Sequence, residues 1–481
     1  MEERRDVIIV GAGVAGLSAA LDVKAAGKSV LVLEKQDHPG GNGLHATSFP
    51  VADENGAMHF CCMDDNYIYA DDPRISPDRQ TRTDANFKAA MEWSHWQTDA
   101  RLIRALIEKN EETSDWVKSK IESNSNGQFD DTFVPGQIGR FLIYACKKAG
   151  VEIRCSTAAK KLLKDSEGKF CGVLADCGGE ELVFPAEAVI VGTGGFYGSP
   201  ELLKKYQRNY DEKYYDQVRV GMGEYSAYTG DGVKMAFDAG GADDGTVSFE
   251  WAMGTAGLFF NSRATGEVLF VNKKGDRFGD EGKVALRNSI YRQPDKEYYC
   301  IYDEGVIKYA TTKPVDYYPL TPRYKRLYHE GKLFDDIEPQ TERALADGTA
   351  FKSDTIDGIA DFIGCDTESL RNTVERYNEM CDKGHDDDFC KDKSFLVALR
   401  NPPFYVWKRK QSALVTHGPV KVSRRMELVD KNEDPVPGIY YAGVDIGGTE
   451  VDAYSCCLAA HSVIWSVASG RIAAESAVNY L

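Results

Sequence analysis

Residues 6–34, DVIIVGAGVAGLSAALDVKAAGKSVLVLE, leave a folding chain few choices. The apolar run 7–10 reads as a buried strand, Gly11-Ala12-Gly13-Val14-Ala15-Gly16 as a tight turn opening an Ala/Leu-rich helix, and the stretch ending at Glu34 as a second strand. Each residue type in the turn has a physical task. Gly11 permits the turn, Gly13 lets a pyrophosphate approach the backbone, and Gly16 lets helix and strand pack closely. The helix start at Val14 and Ala15 presents N–H groups that have no intrahelical partner. Glu34 stands where a carboxylate accepts hydrogen bonds from an adenosine ribose and repels a 2′-phosphate. A lone GxGxxG is a common turn. With strand, helix, second strand and terminal acid all in register, it reads as a dinucleotide site in a Rossmann-type α/β fold.

The rest of the chain is long enough to hold more than this one domain: 481 residues, 42% hydrophobic and 28% charged. A net charge of −17 argues against nucleic acid or an anionic membrane as partner. No stretch approaches the ~18 apolar residues of a spanning helix. The first strand starts a few residues after Met1, which leaves no room for a leader, so a cytoplasmic location is expected. Twelve cysteines include no CxxC or CxxCH, so no metal site, iron–sulfur cluster or attached haem is expected. Electrons must then come from, or pass to, something outside this polypeptide.

Along the chain, Lys35 leads into a loop containing Gly40-Gly41-Asn42-Gly43. Residues 84–121 read as helices, with Trp93, Trp96, Leu102, Leu106 and Trp116 near a helical period. Residues 151–195 read as strands joined by tight turns, and 246–404 as an aromatic-rich stretch with no second nucleotide fingerprint. The final stretch returns to the opening style, with a strand through Tyr441-Ala442-Gly443, a Gly447-Gly448 turn and a closing helix. The expected division is a nucleotide domain from 1–245, carrying a helical insertion at about 84–125, a cap at 246–404 and the returning nucleotide domain at 405–481.

Five glycine-rich segments appear in order: GAGVAG, Gly40-Gly41-Asn42, Val191-Gly192-Thr193-Gly194-Gly195, Thr229-Gly230-Asp231-Gly232, and Tyr441 to Gly448. Together they resemble the FAD-binding flavoproteins that include flavocytochrome c fumarate reductases, urocanate reductases, 3-ketosteroid dehydrogenases and tricarballylate dehydrogenase, from residue 6 to residue 475. The resemblance implies a glutathione-reductase-like FAD domain with an inserted α+β substrate cap. It implies non-covalent FAD held by Gly11, Gly13, Val14, Ala15, Gly16, Glu34, Lys35, Gly40, Gly41, Asn42, Gly43, Ala158, Thr193, Gly194, Gly195, Asp231, Gly443, Asp445, Cys457 and Leu458. Succinate dehydrogenases attach FAD through a histidine in the loop near His45, but the aligned position here is nearer Gly43. The family's glutamate after Ala-Gly is Val444 in this chain, so Asp445 reads either as the ribityl contact or as a solvated turn acid. Cys456 and Cys457 stand where the family has glycines.

The segment from Phe270 to Glu281 resembles the cap motif LVNxxGxRFxNE, in which Arg277 and Glu281 read as structural ties. In the fumarate reductases an arginine shortly after this motif donates a proton to substrate. Arg287 is the nearest match, two residues further on, and reads either as that acid or as an ordinary ion-pairing arginine. Tyr454 occupies the place of the fumarate enzymes' dicarboxylate-clamping arginine. It looks like the tyrosine with which ketosteroid dehydrogenases hydrogen-bond a ketone, with plain packing as the other reading. His417 lies near the family's substrate histidine, either touching substrate or simply buried. Trp251, Met253, Phe259 and Phe260 in the cap read either as ordinary core or as favouring a bulky, partly apolar ligand, and the expected substrate is a bulky enone or unsaturated acid. The reaction implied is reduction of a conjugated C=C bond by hydride from flavin N5, with an external electron donor. The reverse dehydrogenation and a non-catalytic electron-transfer subunit stand as alternatives.

Overall fold

The computed structural model describes residues 3–44, 51–52, 58–59, 73, 76, 78–124, 137–207, 227–253, 265–283, 286–290, 292–312, 337–454 and 461–481. Its first sheet has eight strands. Six run in the order Glu427–Val429, Pro435–Tyr441, Glu181–Val191, Arg5–Val10, Val30–Leu33 and Glu152–Arg154. From Pro435–Tyr441 to Glu152–Arg154 the neighbours are parallel. That explains why Val7, Ile8 and Ile9 are all fully buried without alternation, since both faces of a parallel sheet are covered. The strands Ala158–Lys164 and Phe170–Asp176 form an antiparallel meander that hands on to the first half of Glu181–Val191. This agrees with the strand reading of 151–195.

One face is covered by helix Val14–Ala25 and, beside it, the C-terminal helix His461–Tyr480. Small residues let these two approach almost backbone to backbone: a methyl group on Gly470 would lie 2.3 Å from the Ala15 carbonyl oxygen. The stretch read as helical holds the helices Arg79–Trp93 and Ala100–Asn124. Trp96 departs from the periodic reading: it lies in the turn between the helices and is 63% exposed. Trp116 does face inward, where its indole N–H and the Arg471 guanidinium both donate to Asp22, at 2.9 Å each.

The second sheet has five strands, Leu269–Val271, Glu297–Asp303, Phe404–His417 and Ala350–Ser353 in that order, with Ser248–Met253 also on Phe404–His417. A separate core spans Val268 to Trp407 and includes helices Ile356–Ile363 and Thr367–Lys383. Inside it sits a buried ion cluster. Arg277 binds Glu281 at 2.8 Å and Asp386 at 2.7 Å, and Lys391 approaches Glu281 at 3.2 Å and donates to Tyr377 at 2.9 Å. The side chains of Glu281, Asp386 and Lys391 are fully buried. Arg277 and Glu281 thus tie the cap together, as read from the motif.

The strand Phe404–His417 is continuous across the expected 404/405 boundary. Its first half pairs with Glu297–Asp303 and its second with Ser248–Met253, so the strand stays in the second sheet throughout and no linker interrupts it at that boundary.

Candidate functional site

The three glycines of the opening turn have different neighbours. A methyl group on Gly11 would lie 2.4 Å from the Gly192 carbonyl oxygen, and one on Gly16 2.0 Å from that of Gly11, so packing requires both glycines. Gly13 faces open space, with nothing within 4 Å of such a methyl group. It caps helix Val14–Ala25 and offers the first-turn N–H groups no side-chain acceptor. An uncapped helix N-terminus beside an open glycine is a fitting cradle for the FAD pyrophosphate.

The turn Gly41–Leu44 closes over this cradle. Gly40 N–H donates to the Ala12 carbonyl at 2.8 Å, and a methyl group on Gly41 would lie 3.3 Å from Gly13 Cα. Gly43 is pressed between Val14 and Gly139 of helix Gln137–Lys148. Sequence reasoning missed Gly139, whose one signal was a glycine inside an amphipathic helix. Glu34 is buried at its strand end and accepts from Ala12 N–H at 2.7 Å and Gln36 N–H at 2.9 Å. Its carboxylate is therefore held beside the glycine turn. Thr157 N–H donates to the Glu34 carbonyl at 2.8 Å, which brings the strand beginning at Ala158 alongside.

Lys35 and Asp231, both assigned to the cofactor from sequence, bind each other at 2.7 Å, and Lys35 also donates to Thr229 at 2.9 Å. Burial pushes the Asp231 carboxyl up, but the Lys35 bond and charge prevail and hold it below its ordinary value. Tyr228 donates to Asn42 at 2.7 Å, which ties the Gly40–Gly43 loop to the segment preceding helix Asp231–Asp238.

Asp445 departs from one of its two sequence readings. It is fully buried rather than a solvated turn acid. Its Oδ2 accepts from Thr193 N–H at 2.6 Å and Thr193 Oγ1 at 2.9 Å, and its Oδ1 accepts from Gly195 N–H at 2.8 Å. Both oxygens are thus engaged by the 193–195 loop. Burial raises this carboxyl above its ordinary value against the opposing pull of those N–H groups. Gly443, with φ 75°, donates to Ser469 at 2.9 Å and lies against Ala15, so it shapes the strand exit beside the helix start.

The structure brings His417 and Tyr454 together. Their rings are 5.3 Å apart with 42° between planes, and both residues are buried. Tyr454 donates to Ser462 at 3.2 Å. His417 is held between two anchors: Thr416 Oγ1 accepts from Phe196 N–H at 2.9 Å, and Gly418 N–H donates to the Val444 carbonyl at 2.9 Å. A methyl group on Gly195 would lie 2.4 Å from Thr416 Oγ1. The ring pair is thereby locked to the 193–196 loop through Thr416, a residue the sequence reading did not single out. Arg287 opens the short helix Arg287–Ile290, but its side chain lies outside the described residues, as do those of Trp251 and Met253. His45, Phe259, Phe260, Cys456, Cys457 and Leu458 also lie outside them. Among the described residues there is no metal-binding cluster, and no helix is long and apolar enough to cross a membrane.

Residues 123–455 match the sequence profile of the FAD binding domain family, and residues 9–68 that of an NAD(P)-binding Rossmann-like domain. The chain belongs to the FAD binding domain family. It is an FAD-dependent oxidoreductase of α/β architecture, and FAD is its dinucleotide. Among curated relatives of this family member, a vinyl phenol reductase of Lactiplantibacillus plantarum is 27% identical over 99% of this chain and 96% of its own length. A urocanate reductase of Eggerthella lenta is 26% identical over 92% of this chain and 70% of its own length. An NADH:acrylate oxidoreductase of Vibrio harveyi is 26% identical, and the chain spans 50% of it. Two solved structures share the fold. A flavocytochrome c3 fumarate reductase has a TM-score of 0.70 at 20% identity, covering 100% of this chain and 79% of its own. The 3-ketosteroid delta1-dehydrogenase of Sterolibacterium denitrificans has a TM-score of 0.73 at 17% identity, covering 99% and 100%.

Proposed function

We propose that this protein is an ene-reductase that reduces a C=C bond conjugated to an electron-withdrawing group, in an enone or an unsaturated acid, with the styrene-type C=C of a vinyl phenol as the other candidate. The observation that carries the reading is the buried His417–Tyr454 pair, anchored through Thr416 to the glycine loop of the FAD site. Bound non-covalently, FAD supplies the hydride. The chain's residues must hold the double bond within about 3.5 Å of it, stabilise charge developing on the electron-withdrawing group and see a proton to the adjacent carbon. Tyr454 suits the second task, being neutral and presenting one directed O–H donor whose 3.2 Å bond to Ser462 is long enough to be exchanged for a substrate oxygen. His417 packs beside it and supplies a ring nitrogen for orientation. Arg287, from the family resemblance, is assigned the proton. The division at 246 and 404 into FAD domain and cap, a cytoplasmic setting and an external electron donor complete the reading.

The vinyl phenol and urocanate reductases, matched over 96% and 70% of their own lengths, support reduction over its reverse. The test is direct. Enzyme reduced chemically under anaerobic conditions is mixed with 4-vinylphenol, enones and unsaturated acids, and flavin absorbance is followed. One class is expected to re-oxidise the flavin in a single turnover. If none does, while saturated ketones bleach the oxidised enzyme, the chain is a dehydrogenase instead. Tyr454→Phe should lower kcat by roughly 2–4 kcal/mol of barrier with FAD affinity unchanged. An unchanged rate removes Tyr454 from the chemistry.

A further inference from the structure

The loop 192–196 leaves the carboxyl end of the central strand Glu181–Val191, where ligands of open α/β sheets bind. Gly194 and Gly195 both adopt positive φ, 89° and 87°, which turns successive backbone N–H groups to one side. Such a nest attracts anions and, at the edge of a nucleotide site, invites a phosphate. Here a carboxylate of the chain itself fills it. Asp445 takes the N–H groups of Thr193 and Gly195 and the Thr193 hydroxyl at 2.6–2.9 Å, with no exposed surface. On the far side, Gly232 N–H donates to Thr193 Oγ1 at 3.1 Å, and a methyl group on Gly232 would come within 3.0 Å of Asp445 Oδ2. The Asp445 backbone takes part as well, its carbonyl accepting from Val420 N–H at 3.0 Å.

We propose that Asp445 is a positioning residue: it plugs the anion nest of the 193–195 loop, fixes the face that loop turns to FAD, and places a buried negative charge behind it. The pyrophosphate is thereby left to the uncapped helix at Gly13. The donors around Asp445 explain why no neutral residue replaces it well. Each carboxylate oxygen faces a backbone N–H, so an asparagine amide would set N–H against N–H on one side or the other. A longer glutamate has no room beside Gly232. Removing the charge also removes an anion that opposes electron gain nearby, so the reduced cofactor should be relatively favoured.

The test compares wild-type and Asp445→Asn holoenzyme by FAD titration, dye-coupled reductive titration and thermal melting of the FAD-free proteins. The expected result is FAD affinity at least 10-fold weaker and a preference for reduced over oxidised FAD changed about 10-fold, equivalent to about 30 mV upward for a two-electron couple. The FAD-free melting temperature should stay within a few degrees. Unchanged affinity and potential would overturn the proposal, as would loss of affinity that merely tracks an unfolded apoprotein. If Asp445→Asn does not fold, Thr193→Val, which deletes one donor and leaves the anion less screened, is expected to weaken FAD 2- to 5-fold and to move the potential in the opposite direction; no change in either overturns the proposal. Neither readout involves substrate, so the outcome is separate from the ene-reductase reading.

Discussion

Single residues in this protein divide into those that packing demands and those left open for a ligand, and the two kinds answer to different experiments. Gly11 belongs to the first kind, with positive φ and the Gly192 carbonyl where a side chain would be. Gly11→Ala is expected to cost roughly 2–5 kcal/mol of stability through strain and overlap, read as a lower denaturation midpoint with or without FAD. Gly13 belongs to the second kind. A side chain at Gly13 starts into open space, with nothing within 4 Å of its Cβ, and enters the pyrophosphate cradle, so purified Gly13→Trp should fold normally, by far-UV circular dichroism, yet be colourless. A yellow Gly13→Trp protein would show that the cradle lies elsewhere. Asp445 and Glu34 look alike in sequence, as acids at strand exits. One is closed inside a loop, and the other is held against the glycine turn by two N–H groups.

Among elements, the cap depends on the charged cluster where the turn bearing Arg277 and Glu281 meets the segment after helix Thr367–Lys383. A buried pair contributes little relative to apolar packing, but removing one partner strands the other charge. Asp386→Ala should therefore destabilise the cap by about 3–5 kcal/mol. Acid should act on the same contact. Although burial pushes the Asp386 carboxyl up, the Arg277 bond and charge prevail and hold it down at about 2. A carboxyl depressed in the folded state contributes stability above its unfolded value near 4 and loses that contribution as pH falls toward 2, here about 2 kcal/mol. Urea midpoints measured from pH 5 to pH 2 should show this loss, and Asp386→Ala should show less of it. An identical acid profile in the variant would place the sensitivity at other carboxylates.

At the scale of the whole molecule, the strand Phe404–His417 joins the two cores, carrying Trp407 in one and delivering His417 to the other end of the site. Because no linker intervenes, cap and FAD domain are expected to unfold together. Saturating FAD, at 100 times its Kd, should raise stability by about 2.7 kcal/mol and shift a single calorimetric transition. Two transitions, of which FAD moves only one, would show that the cores are independent. The sequence by itself determined the nucleotide-binding fold, because strand period, glycine placement and a terminal acid are local in the chain and fall in one register; FAD as the dinucleotide followed from the resemblance carried by the five glycine segments. It also marked Arg277 and Glu281 as ties and singled out His417 and Tyr454. Only the tertiary structure decided that those two rings lie against each other, that Lys35 is paired with Asp231, that Gly139 presses on Gly43 and that Asp445 turns inward. Each of these depends on which distant backbone N–H, carbonyl or ring is brought within reach, and periodicity carries no information about contacts between residues far apart in the chain.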